Sequence, residues 1–495
     1  MNERIVPGAK GLPTLYLGGR ALHSRYDPVG EAERYVDSLG LSREPQVFIL
    51  IEPGLGYILP PLRRRFPAAK MVALHASPFF NQYNQAEKKA GAAVWTPGGR
   101  NLQKFLEGEI PDMEASGLKV LEWRPALAVY GRAYADLLEE TLVFIKRIDA
   151  NARTTRGFGR RWVRNFLKNL GLLRQLLYRP QGLPVSNRPW IVTGAGPSLE
   201  ASLPRIRELC AGPDPAVVLA ASSSVPALAA GGISPEMVIT SDGGIWALFH
   251  LYELFRRGGR PPFLAASLSA ALPSQCAALP ILAVADGSRW QRLVLEELGI
   301  PHINLPQRGT VTAAALDLAL ALTSGPVFLA GMDLGNRDIR THARPYGFER
   351  LQWEAASRLR PRYSQGFVRA RDMAAGGSGG IYADWFRGRI DSYPRRLYSL
   401  GQNSPAFDEL EAAEPLAVAL PVSPASPGPF SSAFSILDRQ VPEGSEGRAR
   451  NILRSHLTGA DESGTLCGEL GALLLPGEAV PKPERLAAEL DGLGG

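Results

Sequence analysis

The chain is 495 residues long, with 55 Lys and Arg against 48 Asp and Glu and a formal charge of +7, a length at which two or three separate cores are expected. Apolar residues make up 45% of it, yet no uninterrupted apolar stretch reaches membrane-spanning length, so no membrane span is expected. Met1-Asn2-Glu3-Arg4 lacks the apolar region of a signal peptide, and Cys210, Cys276 and Cys467 have neither metal-ligand spacing nor the density of a disulfide framework, so a cytoplasmic, reducing location is expected.

Residues 12–18 and 46–52 read as strands, and Glu52-Pro53-Gly54-Leu55-Gly56-Tyr57 as a glycine turn before a short helix and the next strand, Met71 to His75. A cofactor-binding version of this turn wants an acidic residue at the end of that next strand to hold a ribose. The sequence offers His75-Ala76-Ser77 instead, so a structural turn is the default reading. Residues 1–145 are taken as the first domain and 146–186 as a basic helical bridge. Lys146, Arg147, Arg153, Arg156, Arg160, Arg161, Arg164, Lys168, Arg174 and Arg179 alternate there with Trp162, Phe166, Leu170, Leu173 and Leu177 at helical spacing, the pattern of one buried stripe and one solvated face. The aromatics fall on the stripe and not between the cations, so the stacking pattern of a nucleic-acid binder is missing.

The central domain, 187–400, repeats one unit. Trp190-Ile191-Val192-Thr193 leads to Gly194-Ala195-Gly196-Pro197-Ser198, Val217 to Ala221 leads to Ser222-Ser223-Ser224, and Met237 to Thr240 leads to Ser241-Asp242-Gly243-Gly244. Later come Gly309-Thr310-Val311-Thr312, an Ala/Leu-rich helix, and Val327 to Ala330 ending in Gly331-Met332-Asp333. Apolar strands that end in polar turns and open helices predict a doubly wound α/β domain with ligands at the carboxyl strand ends. Beyond Asp333 an arginine-rich stretch and a glycine run suggest either a lid at about 344–380 or a solvated loop. Residues 401–430 have linker composition and 431–495 read as a C-terminal helical region, with helices at 431–457 and 464–475.

The segments GAGPSL, GGISPEMVITSD, GTVTAAALDLAL, FLAGMDL and Thr341-His342-Ala343 resemble the motility-associated factor (Maf) glycosyltransferases, which share a domain of the 6-hydroxymethylpterin pyrophosphokinase-like (DUF115) class. The order of motifs is also similar to that of bacterial sialyltransferases. The resemblance is strongest over 187–345 and fainter at the N-terminus. It implies a central Rossmann-like, sialyltransferase-like domain, an N-terminal Rossmann-like accessory domain, and transfer of a nonulosonic, sialic-acid-like sugar from a CMP donor to Ser or Thr of flagellin. Two alternatives stand beside it: an ATP- and Mg²⁺-using pterin pyrophosphokinase, and a non-catalytic flagellin-binding protein.

The candidate nucleotide and substrate contacts are Gly194, Ala195, Gly196, Pro197, Ser198, Ser222, Ser223, Ser224, Gly309, Thr310, Thr312 and Asp333. Gly194 and Gly196 let the backbone approach a phosphate at a helix N-terminus, and a side chain at 196 is expected to fill that space without harming the fold. The serines could bond a ribose or base, or cap a helix, and plain N-capping competes at Thr310. Asp242 is expected to orient donor or acceptor at a strand edge adjacent to that of His342, the resemblance making His342 the general base; a structural histidine is the other reading. No Asp-x-Asp pair marks a metal site, so no metal and no further cofactor are expected beyond the CMP-sugar, with Mg²⁺ needed only for the pyrophosphokinase, for which Asp242, Asp333 and Asp338 are a partial answer.

Overall fold

The apolar runs of the central segment become parallel strands buried on both faces, which is why they read as nearly continuous Val, Ile, Leu and Ala. The structure is a computed structural model, and it describes residues 3–9, 11–41, 45–110, 117–178, 187–212, 214–256, 262–305, 309–337, 339–374, 396–401, 434–438, 444–458, 463–476 and 481–494, with a few single positions between them. The chain divides into two units, Met1–Thr154 and Thr155–Gly495.

In the first unit, β1 (Arg4–Pro7), β2 (Pro13–Leu17) and β3 (Arg20–Ala21) form an antiparallel sheet. A second, parallel sheet holds β4 (Val47–Ile51), β5 (Lys70–Leu74), β6 (Ala93–Trp95) and β7 (Leu118–Glu122) in the order β6-β5-β4-β7. Its core runs from Leu15 through Phe48, Ile49 and Leu102 to Phe144 and Ile148.

The second unit is built on a ten-stranded sheet. Its strands are β8 (Gln175–Tyr178), β9 (Trp190–Thr193), β10 (Val217–Ala221), β11 (Met237–Thr240), β12 (Phe263–Ser267), β13 (Pro280–Ala285), β14 (His302–Asn304), β15 (Val327–Ala330), β16 (Leu397–Ser399) and β17 (Ser435–Asp438). The order is β16-β15-β9-β10-β11-β12-β13-β8-β17, with β14 also on β13, and every pair but β17 with β8 is parallel. Alternation along the strands sorts the side chains into two cores. Ile191, Val218, Val238, Leu264 and Phe328 meet Phe166, Leu199, Ile206 and Val294 on one face. Trp190, Leu219, Ile239 and Leu329 meet the Val311–Leu322 helix on the other. The chain winds outward from β9 to β13 and then returns to lay β15 on the free side of β9, so the topological switch point lies between β9 and β15.

Two boundaries differ from expectation. The bridge at 146–186 does not stand apart: one helix, Arg132–Asn169, crosses the division between the units, and Val163, Phe166, Leu167, Leu170 and Leu173 lie in the second core, with β8 in the sheet itself. The amphipathic stripe was legible, but what it packs against is not written in its own periodicity. Residues 435–438 form an edge strand where a helix was expected, and the helices that follow, Ser445–Thr458, Ser463–Leu474 and Pro483–Asp491, pack on the sheet's core through Leu453, Leu470 and Leu490. The expected linker lies almost wholly outside the described residues.

Candidate functional site at the carboxyl ends of β9, β11 and β15

Backbone approach governs the first turn. Gly194 N–H donates to Ala330 O at 2.8 Å and Gly196 N–H to Gly331 O at 2.9 Å, so the turn after β9 is laced to the turn after β15. A Cβ on Gly194 would overlap the Gly331 carbonyl, one on Gly331 would come within 2.5 Å of the Gly194 carbonyl, and one on Gly196 would overlap the Asp333 carboxylate. The glycines therefore allow two strand ends to touch, and the seat expected for a phosphate is taken by the protein's own anion. Asp333, whose side chain is 7% exposed, accepts from Ser198 N at 3.1 Å and from Ser198 Oγ at 2.5 Å, and Arg337 Nε lies 3.3 Å from its other oxygen. A carboxylate at the N-terminus of the Leu199–Ala211 helix satisfies the same partial charge that a phosphate would. Ala195 and Pro197 are buried within this turn, and Ala195 O accepts from Ala343 N at 2.8 Å.

A second helix start reaches the same place from the other face of the sheet. Thr312 Cγ2 would be 3.1 Å from a Cβ on Gly194, so the Gly309-Thr310-Val311-Thr312 turn meets the glycine turn at the switch point. Thr310 is the N-cap of the Val311–Leu322 helix, its Oγ1 accepting from Ala313 N at 3.0 Å, while Gly309 takes φ +77° and is exposed. Among the described residues, this helix end shows its own hydroxyl cap and no carboxylate.

The three serines divide. Ser224 is buried and bonds Thr193 Oγ1 and Ala221 O, each at 2.8 Å, which ties the ends of β9 and β10 together; Ser222 is buried and Ser223 half-buried, and none caps a helix through its side chain. Asp242 is exposed, and its Oδ1 accepts from Gly244 N at 2.7 Å. β11 and β15 are not adjacent, because β9 and β10 lie between them. At the usual strand spacing that separates the two strand ends by about 14 Å. Asp242 and Asp333 hold different turns.

His342 is nevertheless carried toward the Asp242 side by the loop that follows β15. Gly347 lies directly on the Phe249 and His250 backbone, at the end of the short Trp246–Leu251 helix that follows the Asp242 turn. Around Phe348 gather Tyr346, His250, Trp246 and His342, with ring centroids at 4.9, 5.5, 5.7 and 5.9 Å. Thr341 Oγ1 is 2.9 Å from His342 Nδ1. His250 is buried, and burial first and the neighbouring His342 second push its imidazole down to about 4, so it is neutral near pH 7. The sequence reading missed His250, Trp246, Tyr346 and Phe348; the only signal was the unusual density of aromatics between 246 and 252 and between 346 and 353.

The corresponding edge of the first unit is filled. A Cβ on Gly54 would overlap His23 Nε2, which accepts from Leu55 N at 2.9 Å, so the ring sits on the turn where a cofactor would lie. Glu52 and His75 are fully buried and 3.0 Å apart, and Glu87 stands 3.7 Å from the other nitrogen of His75. Among the described residues no group of three or more His, Cys, Asp or Glu is placed to hold a metal ion, and no helix is long and apolar enough to cross a membrane.

A doubly wound parallel sheet whose first turn and β15 turn interlock at the switch point defines a Rossmann-like α/β protein. Residues 161–338 match the model of the 6-hydroxymethylpterin diphosphokinase MptE-like family. A 6-hydroxymethyl-7,8-dihydropterin pyrophosphokinase of Methanothermobacter thermautotrophicus is 31% identical over 205 residues, 39% of this chain and 79% of that protein. The chain belongs to the MptE-like family. An uncharacterized protein of Treponema pallidum is 28% identical over 252 residues, 50% of this chain and 53% of that protein, so the match spans about half of that relative's length. The fold is also that of the Maf glycosyltransferase from Magnetospirillum magneticum AMB-1, at a TM-score of 0.51 and 15% identity, over 100% of this chain and 87% of that one.

Proposed function

We propose that this protein is a glycosyltransferase of the Maf type, which moves a nonulosonic sugar from a CMP donor to a Ser or Thr hydroxyl of flagellin in the cytoplasm. The observation that carries the reading is the pairing of helix ends at the switch point, in a chain that is alike over its whole length to a Maf transferase fold. One end is closed by Asp333, and the other, at Thr310, is capped among the described residues by a hydroxyl. The donor phosphate would address the Gly309–Thr312 end, with Ser222 and Ser223 toward the nucleoside. In transfer, the acceptor oxygen bonds to the anomeric carbon as the bond to the phosphate oxygen breaks. CMP leaves with the electron pair, and the hydroxyl proton passes to His342, whose ring is oriented by Thr341. Asp242 would orient donor or acceptor. Arg337, Arg340 and Arg344 lie on the same loop, held by Asp333, Glu200 and Glu349, and would have to share or exchange those partners to meet the sugar carboxylate or the departing phosphate.

The pterin relative favours a second reading, an ATP-dependent diphosphokinase. It would need Mg²⁺ held by Asp242, Asp333 and Asp338; the first two carboxylates serve Gly244 and Ser198, and Asp338 lies outside the described residues. A thermal-shift series with CMP, CDP, UDP, ATP and S-adenosylmethionine, followed by hydrolysis of a CMP-activated nonulosonic sugar with and without EDTA, tests both. CMP stabilisation and EDTA-resistant release of CMP are expected. Mg²⁺-dependent formation of AMP from ATP and a hydroxymethylpterin would replace the transferase with the diphosphokinase.

A further inference from the structure

The stretch beyond His342 exposes more apolar surface than its charge would suggest. Residues 337–371 carry nine arginines against three acids. Arg337, Arg340, Arg344, Arg350 and Arg362 are paired with Asp333, Glu200, Glu349, Glu354 and Glu349. Arg358 and Arg360, both exposed, make no ion pair among the described residues. They flank Leu359, 95% exposed, at the tip of a tight turn closed by reciprocal bonds between Ser357 and Arg360. The Arg362–Ala374 helix follows, and it buries Ala370 and sets Gly366 against Ile339 while leaving Tyr363 and Phe367, one helical turn apart, 66% and 52% exposed, with Val368 beside them. Trp353, also exposed, stacks on the Arg362 guanidinium at 4.0 Å.

We infer that this turn and helix form a docking surface for an acidic polypeptide segment with apolar anchors. The cations without acidic partners call for carboxylates, and the solvated aromatic and aliphatic side chains call for apolar side chains between them. A path of contacts leads from the patch to the sheet edge: Arg362 Nη2 is 3.2 Å from Tyr346 OH, and the Tyr346 ring is 5.7 Å from that of His342. A chain docked on the patch would lie beside the residues that lead to that edge. That the docked chain is the acceptor of transfer rests on the proposed function; that it docks does not.

The probe is a fluorescein-labelled peptide of Glu, Leu, Phe and Ser, read by anisotropy on the full chain without donor. Wild-type protein is expected to bind it, and added NaCl to weaken binding. Tyr363→Ser with Phe367→Ser, and separately Arg358→Glu with Arg360→Glu, should each weaken it by about tenfold or more, as should replacing the peptide's Glu by Gln. All four side chains are exposed, so the melting temperature and its shift with CMP should not change. Absence of binding to wild type, equal binding of the Gln peptide, or stronger binding of oligo(dT) or phosphatidylserine vesicles through the same residues would overturn the inference. Loss of the CMP shift with peptide binding intact would instead remove the transferase reading.

Discussion

Asp333 shows how one carboxylate can convert a nucleotide signature into a structural joint. Its oxygens hold Ser198 across the switch point, and the space above Gly196 is its own. Gly196→Val, expected from the sequence to spare the fold, should therefore disrupt it. Even Gly196→Ala must displace the carboxylate from the helix end, and a loss of about 1–3 kcal/mol in urea unfolding is expected from a broken charged hydrogen-bond pair. Asp333→Asn keeps the shape and removes the charge, so its loss should be smaller, and a larger loss than for Gly196→Ala would show that charge and not space governs the joint. At the next turn, His342→Ala should lower kcat by about 10²–10⁴ if it takes the acceptor proton, with CMP affinity unchanged. Full activity in that variant would leave His342 a structural member of the Phe348 cluster.

At the scale of elements, the loop after β15 matters more than any strand. Ala343 N–H donates to Ala195 O, and Glu349 receives both Arg344 and Arg362, which together tie 343–362 down beside the sheet edge. Burial alone raises the Glu349 carboxyl, but the hydrogen bonds from Arg362 and Arg344 outweigh it and hold it below the ordinary range. A depressed carboxyl contributes stability above its unfolded value and loses it as pH falls through the folded value, so this closure should loosen only in acid. Glu349→Gln should reproduce the loosened state at neutral pH, with faster proteolysis within 344–374 and little change elsewhere. Equal cleavage of variant and wild type would mean that the ion pairs do not hold the segment. The glycine run of the expected lid lies outside the described residues. On the opposite face, Thr310→Ala removes the cap of the Val311–Leu322 helix, and about 1 kcal/mol is expected in thermal or urea unfolding.

For the molecule as a whole, buried titratable groups set the pH range of the fold. His23 is buried with its Nε2 accepting from Leu55, and burial pushes it down to about 3; His250 in the other unit stands at about 4. Unfolded histidines take up protons near 6.5, so both units lose stability as pH falls below that value, by about 2 kcal/mol at pH 5 for His23 alone. Glu87 acts in the opposite sense. Burial raises its carboxyl, with His75 partly offsetting this, so its contribution is present below the unfolded value and lost as pH rises through the folded one. His23→Gln should flatten the acid side of a plot of melting temperature against pH, and an unchanged slope would show that His23 does not govern it.

The alternating and continuous apolar patterns determined by themselves that this would be a doubly wound α/β protein, because strand burial on two faces is written in consecutive residues. The turns GAGPS, SSS, SDGG, GTVT and GMD were legible for the same reason, since each needs only local backbone geometry. The Thr310 cap was likewise visible as a competitor to ligand binding. What the turns touch was decided only in three dimensions. Ser198 and Asp333 are 135 positions apart, and nothing in either segment says that the second closes the first. The same holds for β8 and β17, which join the sheet from segments whose patterns predict a bridge and a helix, because the edges left by β13 and then β8 offer unpaired backbone groups. His342 and Asp242 looked like neighbours because their motifs follow similar strands; β9 and β10 separate those strands, and only the fold of one loop brings the histidine back. Local pattern specifies which conformation a segment adopts, whereas the partner of a buried charge depends on which distant backbone the winding order places beside it.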